Sequence, residues 1–261
     1  MILDKLAAST RARVDRLKAE KPLEAVREEA LSMAPEKPFC FEAALKKEDI
    51  AFICEVKKAS PSKGIIAPDF PYVHIARDYE AAGADAISVL TEPEYFLGSD
   101  DYLSAVRRAV SIPVIRKDFT IDAYQIYEAR IIGADAVLLI CALLDTQTLE
   151  EYLRIADTLG LTALVEAHDE TELRSALKAG ARVIGVNNRN LKTFEVDIEN
   201  SKRLRQLAPE SVIFVSESGI KTPEDIDALR KNGTDAVLIG EALMRSSRKA
   251  EALARLRGKR V

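Results

Sequence analysis

The sequence predicts an α/β protein of the (β/α)8 barrel class, preceded by a helical extension. Four similar segments recur about every 50 residues, and each combines the end of an amphipathic helix, a glycine and an aliphatic run: EAAGADAISVL (80–90), RIIGADAVLLI (130–140), LKAGARVIGV (177–186) and RKNGTDAVLIG (230–240). Glycine just after a helix favours its termination. A short all-apolar run is typical of a strand that is covered on both faces of a parallel sheet. This period is too long for one strand–helix unit and fits two.

The missing strands lie between these repeats, in four further segments: AFICEVKK (51–58), IPVIRKDF (112–119), LTALVEAHD (161–169) and VIFVSESG (212–219). Helical patterns separate them, with Asp145 and Thr222 predicted as N-caps and Pro223 in the first helical turn. Eight strands therefore alternate with about eight helices, which is the pattern of a TIM barrel. The alternative is a doubly wound open sheet, but no G-x-G-x-x-G follows the first strand.

Residues 1–48 precede the first strand and contain two polar helices with a narrow apolar stripe, LAASTRARVDRLKAE and LEAVREEALSM. We interpret them as an extension of a barrel that comprises residues 49–261, with one domain in all. The periodicity of the extension does not decide between a plug at the bottom of the barrel and a cover over its top.

Composition excludes several functional classes. The chain has 261 residues, of which 48% are hydrophobic and 31% charged, and its net charge of -4 gives no general attraction to nucleic acid or acidic lipid. The N-terminal segment carries charge throughout, unlike a signal peptide or membrane span. Three distant cysteines form no zinc-binding pattern and indicate reduced thiols. We therefore expect a cytoplasmic protein with no metal and with no nucleic acid or membrane as a partner. A monomer is a separate expectation, which composition does not establish.

Charged and amide residues follow the apolar part of several predicted strands. Barrel enzymes carry their active sites at the C-terminal ends of the strands, where this sequence places Glu55, Lys57, Lys117, Glu166, Asn187, Arg189, Ser218, Gly219, Gly240 and Glu241. Taken singly, each could be a solvated loop residue. Taken together, their alternation directs them inward, where charge is costly unless it is paired, so the set favours a functional site.

Four other polar residues are predicted to lie outside this site. Lys58 and Arg116 are one residue out of phase and should face away in a structural or solvated role. We expect His168 to be a surface loop residue and His74 an ordinary solvated or capping residue of a helix.

Two glycines indicate a phosphate site. Gly219 and Gly240 end the seventh and eighth strands, where barrels commonly hold phosphate, and a short helix could begin at Glu241. Ser60 lies in the SPSKG loop, which Pro61 keeps non-helical. The alternative is that the two glycines only form tight turns.

The motifs EVKKASPSKG, LTEPEYFLGS, VIRKDF, LVEAHD, GVNNRNLKTF, SESGI and LIGEALM together resemble the indole-3-glycerol phosphate synthase family over nearly the whole chain, with no departure at a motif position. The resemblance implies ring closure, decarboxylation and dehydration of the phosphorylated substrate 1-(2-carboxyphenylamino)-1-deoxyribulose 5-phosphate, a step of tryptophan synthesis. It also implies that no metal or organic cofactor is needed, and that the N-terminal extension lies over the active-site face.

The same resemblance implies roles for individual residues. Lys117 would be the general acid of ring closure, and Glu166 the acid–base partner of dehydration. Lys57 would hold the substrate carboxylate and could protonate the leaving hydroxyl, while Glu55 keeps a lysine charged. Asn187 and Ser218 would orient the middle of the substrate, and Arg189 would help to bind an anion. Phe96, Phe119 and Leu138 would line the anthranilate ring, although simple barrel-top packing also explains them.

Two other functions remain open at this point. A different phosphate-sugar barrel enzyme, such as phosphoribosylanthranilate isomerase, would need a Cys and Asp pair at the mouth, and Cys54 is out of phase for it. A catalytically silent binding barrel is the second alternative, and the intact set of two lysines and a glutamate argues against it.

Overall fold

A computed structural model describes residues 2–190 and 193–258 as a closed barrel of eight parallel strands. In chain order the strands are β1 (Ala51–Val56), β2 (Ala86–Leu90), β3 (Val114–Lys117), β4 (Ala136–Ile140), β5 (Thr162–Ala167), β6 (Val183–Asn187), β7 (Ile213–Glu217) and β8 (Ala236–Ile239). Each strand pairs with its successor, and β8 returns to β1 with Ala51 opposite Ala236. The predicted TIM barrel is confirmed, and the open sheet is wrong.

Three helices precede β1, and helices then follow the strands in the expected alternation. They are α1 (Ile2–Glu20), α2 (Leu23–Ser32), α3 (Cys40–Leu45), α4 (Tyr72–Ala81), α5 (Asp100–Ala109), α6 (Ala123–Ile131), α7 (Thr146–Thr158), α8 (Glu170–Lys178), α9 (Glu199–Arg205), α10 (Pro223–Lys231), α11 (Glu241–Met244) and α12 (Lys249–Leu256). Asp145 caps α7 by accepting from Thr148 N at 2.8 Å, and Thr222 forms a capping box with Asp225 at the start of α10. Both predicted caps are confirmed.

Strand alternation divides the core into an inner and an outer part. The lumen is filled by small and branched side chains from alternate positions: Ala51, Ile53, Ala86, Ile115, Ala136, Leu138, Ile140, Leu164, Val183, Ile213, Val215, Ala236 and Leu238. The intervening residues, such as Phe52 and Cys54 of β1, pack outward against the helices. A residue at the end of a strand therefore faces the mouth only if it is in phase with the lumen set.

The N-terminal extension covers the top of the barrel with its first helix. Ile2, Leu3 and Leu6 of α1 line the cavity at the strand ends. Arg13 donates to both carboxylate oxygens of Asp118 at 2.8 Å, and Lys18 contacts Asp122 at 2.6 Å. These ion pairs fix α1 to the loop after β3.

The third helix of the extension closes the bottom of the barrel. Phe41 and Leu45 of α3 are buried with the lumen residues. Phe39 N donates to Gly160 O at 2.9 Å and Glu42 N donates to Thr162 Oγ1 at 3.2 Å, which tie α3 to the start of β5. The extension thus supplies both a cover and a plug.

Arg116 faces outward from β3, as its phase predicts, and it is buried rather than solvated. Its guanidinium contacts Asp100 and Glu128, each at 2.8 Å. Within residues 2–190 and 193–258, no helix is long and apolar enough to cross a membrane.

Candidate active site

A cavity of about 560 Å³ opens at the C-terminal ends of the strands, beneath α1. The structure places every residue of the predicted site on its wall: Glu55, Lys57, Ser60, Phe96, Lys117, Phe119, Leu138, Glu166, Asn187, Arg189, Ser218, Gly219, Gly240 and Glu241. Residues that are up to about 190 positions apart in the chain thus meet around one volume.

Lys117 lies at the centre of the cavity floor, between two carboxylates. Its Nζ is 3.3 Å from Glu166 Oε2 and 3.3 Å from Glu217 Oε2. Burial opposes its charge, but the carboxylates of Glu217, Glu166 and Glu55 outweigh burial and hold the pKa of Lys117 above its ordinary value. The side chain is therefore an ammonium that can donate a proton or a hydrogen bond.

Glu166 is held as a carboxylate. Burial alone would favour its neutral form, but Lys117, His168 and a hydrogen bond from Asn187 lower the pKa of Glu166 below its ordinary value. Asn187 Oδ1 in turn accepts from Arg189 N at 3.0 Å, which fixes the orientation of the amide.

Glu217 is a candidate residue that the sequence analysis missed. Burial, with the nearby Glu166 and Glu55 charges, raises the pKa of Glu217 to about 7, although Lys117 opposes this. There is room for its carboxylate because position 185 is a glycine. A Cβ at that position would lie 2.2 Å from Glu217 Oε1. The signal was present in the sequence, since Glu217 is in phase with Ile213 and Val215.

Lys57 and Glu55 form a second ion pair on the wall, at the end of β1. Their side chains are 15% and 6% exposed, so the pair is largely desolvated. A Cβ at Gly240 would lie 2.1 Å from Glu55 Oε1 and 2.9 Å from Lys57 Nζ. The glycine at the end of β8 thus makes room for this ion pair, in addition to any part in anion binding.

The turn after β7 adopts a left-handed backbone. Ser218 has φ 66° and Gly219 has φ 83°. The Ser218 carbonyl accepts from Asn188 Nδ2 at 3.0 Å, while Asn188 Oδ1 accepts from Ser201 N and Oγ. This network holds a non-glycine residue in a costly conformation, so the backbone of Ser218 is fixed at the cavity.

Cations gather at the outer end of the cavity. Lys63 Nζ lies 3.9 Å from Glu241 Oε1, and the same oxygen accepts from Arg245 Nε at 3.0 Å. Lys221 lines this end as well. Ser60 is buried in a short hairpin formed by Ala59–Ser60 and Gly64–Ile65.

The inner wall on the β2 and β3 side is apolar. The rings of Phe96 and Phe119 have centroids 6.0 Å apart at an interplanar angle of 42°, and Leu138 of β4 lies on the lumen side. With Leu3 and Leu6 of α1, they form an apolar slot. Its polar counterpart is the cationic outer end, so the cavity suits an elongated ligand with a flat apolar part and an anionic part.

His168 corrects an expectation. It is not a surface loop residue, because its side chain is only 15% exposed and its Nε2 lies 3.4 Å from Glu166 Oε1. Its Nδ1 contacts Glu172 Oε2 at 2.9 Å. His168 is two positions after Glu166 and therefore in phase with it, but it lies beyond the end of β5, where strand alternation alone does not fix the direction of a side chain. By contrast, His74 is exposed on α4, as predicted.

Residues 3–256 match the family model described as indole-3-glycerol phosphate synthase. The chain belongs to the indole-3-glycerol phosphate synthase family. A protein of that name from Ruminiclostridium cellulolyticum is 66% identical over 258 residues, covering 99% of both chains. Another from Endomicrobium trichonymphae is 58% identical and covers 98% of this chain and 100% of its own.

Solved structures with low sequence identity share the fold. The 3-hexulose-6-phosphate synthase from Salmonella typhimurium has a TM-score of 0.65 at 15% identity and covers 79% of this chain and 96% of its own. Thiamine phosphate pyrophosphorylase from Pyrococcus furiosus has a TM-score of 0.60 at 17% identity, with coverages of 80% and 94%. These similarities concern the barrel alone, whereas membership of the indole-3-glycerol phosphate synthase family extends over nearly the whole sequence.

Two features bear on other chemistries for this indole-3-glycerol phosphate synthase family member. Cys54 is fully buried on the outer side of β1, away from the cavity, so it cannot act there as a thiol acid or base. Among the described residues, no group of three or more His, Cys, Asp or Glu side chains could hold a metal ion.

Proposed function

We propose that the protein converts 1-(2-carboxyphenylamino)-1-deoxyribulose 5-phosphate into indole-3-glycerol phosphate, carbon dioxide and water. The observation that carries the proposal is the Lys117 ammonium between Glu166 and Glu217, on the floor of a cavity with an apolar slot and a cationic outer end. The substrate has a flat carboxylated ring, a polar middle and a phosphate, which match these regions in order.

Ring closure is the step for Lys117. The ring carbon that bears the carboxylate attacks the ketone, and negative charge develops on the ketone oxygen. An ammonium at this point donates a proton to that oxygen, and the surrounding low-dielectric walls strengthen the interaction. Loss of carbon dioxide then returns the bonding electrons to the ring system.

Dehydration is the step for Glu166, with Lys57 as the proton donor to the leaving hydroxyl. The hydroxyl needs one proton to leave as water, and the new ring must give up one proton to become aromatic. Glu166 is a carboxylate, which suits removal of that proton. Because two protons enter and one is returned, each turnover consumes one proton from solvent.

Binding determinants follow the polarity of the cavity. We assign the phosphate to the outer end, near Ser60, Gly219, Gly240 and Glu241, where Lys63 and Arg245 offset the Glu241 charge. Arg189 flanks this end, with its guanidinium held by Phe194 O at 3.1 Å. Phe96, Phe119 and Leu138 enclose the anthranilate ring. Glu55 pairs with Lys57 beside the substrate carboxylate, and Asn187 and Ser218 orient the polar middle.

The direct test is an assay of the purified protein with this substrate. We expect an increase in indole fluorescence and release of one carbon dioxide per indole formed. Treatment of the protein with a metal chelator should leave the rate unchanged. A silent binding barrel would give neither signal, and an isomerase would consume its substrate without release of carbon dioxide. A cytoplasmic location remains our expectation from composition, and a monomer remains a separate expectation.

A further inference from the structure

His168 contacts a residue of the candidate site without lining the cavity itself. It follows β5 directly, two positions after Glu166, and its Nε2 lies 3.4 Å from Glu166 Oε1. Apart from this approach, Nε2 is buried and makes no hydrogen bond to any of the residues that the structure describes. The imidazole therefore directs one nitrogen at the oxygen of Glu166 that Lys117 does not contact.

The other side of His168 is fixed by α8 and α9. Glu172 Oε2 accepts from the His168 backbone N–H at 2.8 Å and lies 2.9 Å from its Nδ1. The His168 carbonyl accepts from Asn200 Nδ2 at 2.9 Å. Glu172 itself is held by the N-cap Asp169, which accepts from Glu172 N at 2.9 Å. Ring position and backbone are thus determined by three side chains outside the cavity.

Charge around the imidazole favours its protonated form. Although burial opposes a charge, the Glu172 hydrogen bond and the Glu166, Glu172 and Glu217 charges raise the pKa of His168. The titratable and charged groups that face it are Glu166 on β5, Glu217 on β7, Asp169 and Glu172 at the start of α8, Lys117 beyond Glu166, and Cys141 after β4. Burial raises the pKa of Cys141 to about 12, so its thiol is neutral. The Nδ1 proton serves Glu172, and the Nε2 proton points at Glu166.

We infer that His168 is a positioning residue for Glu166, and that Glu172, His168 and Glu166 form a chain that fixes the orientation and ionisation of the Glu166 carboxylate. This inference rests on the role proposed above for Glu166. Lys117 donates to Oε2 of Glu166 at 3.3 Å, and His168 Nε2 faces Oε1 at 3.4 Å, so the carboxylate is approached from two sides. A carboxylate that must take a proton from the substrate is more effective when its orientation is fixed before the substrate binds.

Two substitutions separate the two faces of the imidazole. His168→Asn retains a polar group near Nδ1 and loses the contact with Glu166. His168→Gln extends an amide toward the Nε2 position and can still donate to Glu166. His74→Gln on α4 is the matched control, since His74 is exposed and far from the site. Thermal unfolding of all variants identifies any general loss of structure.

We expect His168→Asn to lower kcat by about tenfold, the scale of losing a group that orients a reacting residue, with KM within about twofold of wild type. The acid limb of its kcat/KM profile should move to higher pH, because Glu166 loses a stabilising cation. His168→Gln should recover most of kcat, and Glu172→Gln should resemble a weaker His168→Asn.

A readout that does not depend on turnover is the titration of Glu166 by NMR in protein labelled with 13C at glutamate carboxyls, with Glu166→Gln used for assignment. We expect the Glu166 midpoint to rise in His168→Asn and to stay near wild type in His74→Gln. Equal midpoints in wild type and His168→Asn, or equal kcat losses in the Asn and Gln variants, would overturn the inference. If Glu166→Gln retains full activity, the proposed role of Glu166 fails instead, and the NMR result still decides whether His168 controls its ionisation.

Discussion

Lys117 illustrates how a residue acquires reactivity from its neighbours. Two carboxylates at 3.3 Å hold a buried ammonium in the cavity, which would be prohibitively costly to bury alone. Those same carboxylates also oppose the loss of a proton from the lysine. During ring closure the transfer becomes favourable, because negative charge develops on the ketone oxygen that accepts the proton.

Lys117→Ala should lower kcat by roughly 10²-fold or more, the usual scale for losing a general acid. Lys58→Ala is the matched control, because Lys58 is adjacent to the same mouth but out of phase. Steady-state kinetics of both variants provide the measurement. A Lys117→Ala enzyme with most of the wild-type kcat would show that another group supplies the proton.

Glu217 should make stability depend on pH in a defined direction. Its folded pKa is about 7, above the value near 4.3 of an unfolded glutamate, so the folded state binds this proton more tightly. Between these values, the free energy of unfolding should fall as pH rises, by at most about 1.4 kcal/mol per pH unit. Above the folded pKa, the effect levels off.

Urea unfolding of wild type and Glu217→Gln between pH 5 and 8 measures this effect. The wild-type advantage should decline up to about pH 7 and then remain constant. Exposed Glu210 provides the control, and the difference between wild type and Glu210→Gln should be flat. A flat profile for Glu217→Gln as well would show that the carboxylate is not desolvated as described.

Residue phase accounts for what the sequence revealed about the site and for what it did not. Lys57, Lys117 and Glu166 could be placed at the mouth because each continues an alternating apolar strand. Glu217 obeys the same rule, and it directly precedes the turn at Ser218 and Gly219. His168 is also in phase with Glu166, but its contact with Glu172 could not be predicted, because Glu172 belongs to the next helix and their approach depends on how the loop folds.

At the scale of elements, β6 and β7 fit together because β6 has a glycine beside a glutamate of β7. Gly185 faces the lumen beside Glu217, and a Cβ there would overlap Glu217 Oε1 at 2.2 Å. The apolar run around Gly185 gives no hint of this, because a glycine in a strand can equally reflect a bulge or close packing.

Gly185→Ala should destabilise the protein by about 1–3 kcal/mol, the range for overpacking, and should lower kcat by moving Glu217. Glu217→Ala removes the carboxylate that would clash. In that background, Gly185→Ala should therefore cost little stability. Denaturant unfolding of the four proteins in this cycle gives the coupling energy. Additive effects would mean that the two side chains do not compete for space.

The first helix is attached to the barrel by an ion pair that should affect both stability and binding. Arg13→Met removes both hydrogen bonds to buried Asp118, which retains Thr91 Oγ1 at 2.9 Å and Arg116 at 3.6 Å. We expect a loss of about 1–3 kcal/mol, the scale of a charged hydrogen bond, and a higher KM, because Leu3 and Leu6 line the cavity.

Thermal unfolding and steady-state kinetics test this attachment. The matched control is Lys21→Met, which breaks an exposed pair with Glu29 and should change stability by well under 1 kcal/mol. An unchanged KM in a destabilised Arg13→Met enzyme would separate the anchor from substrate binding. Sequence periodicity could not place α1 and α3, because their partners Asp118 and Thr162 lie about 100 residues away.

Along the axis of the barrel, the residues that form the core and those that line the cavity occupy different layers. Branched apolar side chains fill the lumen, α3 closes its lower end, and the charged residues of the cavity lie in the layer above. Repeats and strand phase were sufficient to predict this architecture. Closure of the barrel was harder to predict from the sequence, because the pairing of β8 with β1 joins residues such as Ala51 and Ala236, which no local pattern connects.

In the proposed mechanism, one cavity performs two successive proton-dependent steps with different residues. Rapid-quench mass spectrometry of single turnovers tests it most directly, with release of carbon dioxide and formation of indole followed separately. Lys117→Ala should stop before carbon dioxide is lost. Glu166→Gln should still release some carbon dioxide and accumulate an intermediate that has lost carbon dioxide but not water. Equal loss of both signals in Glu166→Gln, with no intermediate, would contradict the account and place Glu166 at or before ring closure.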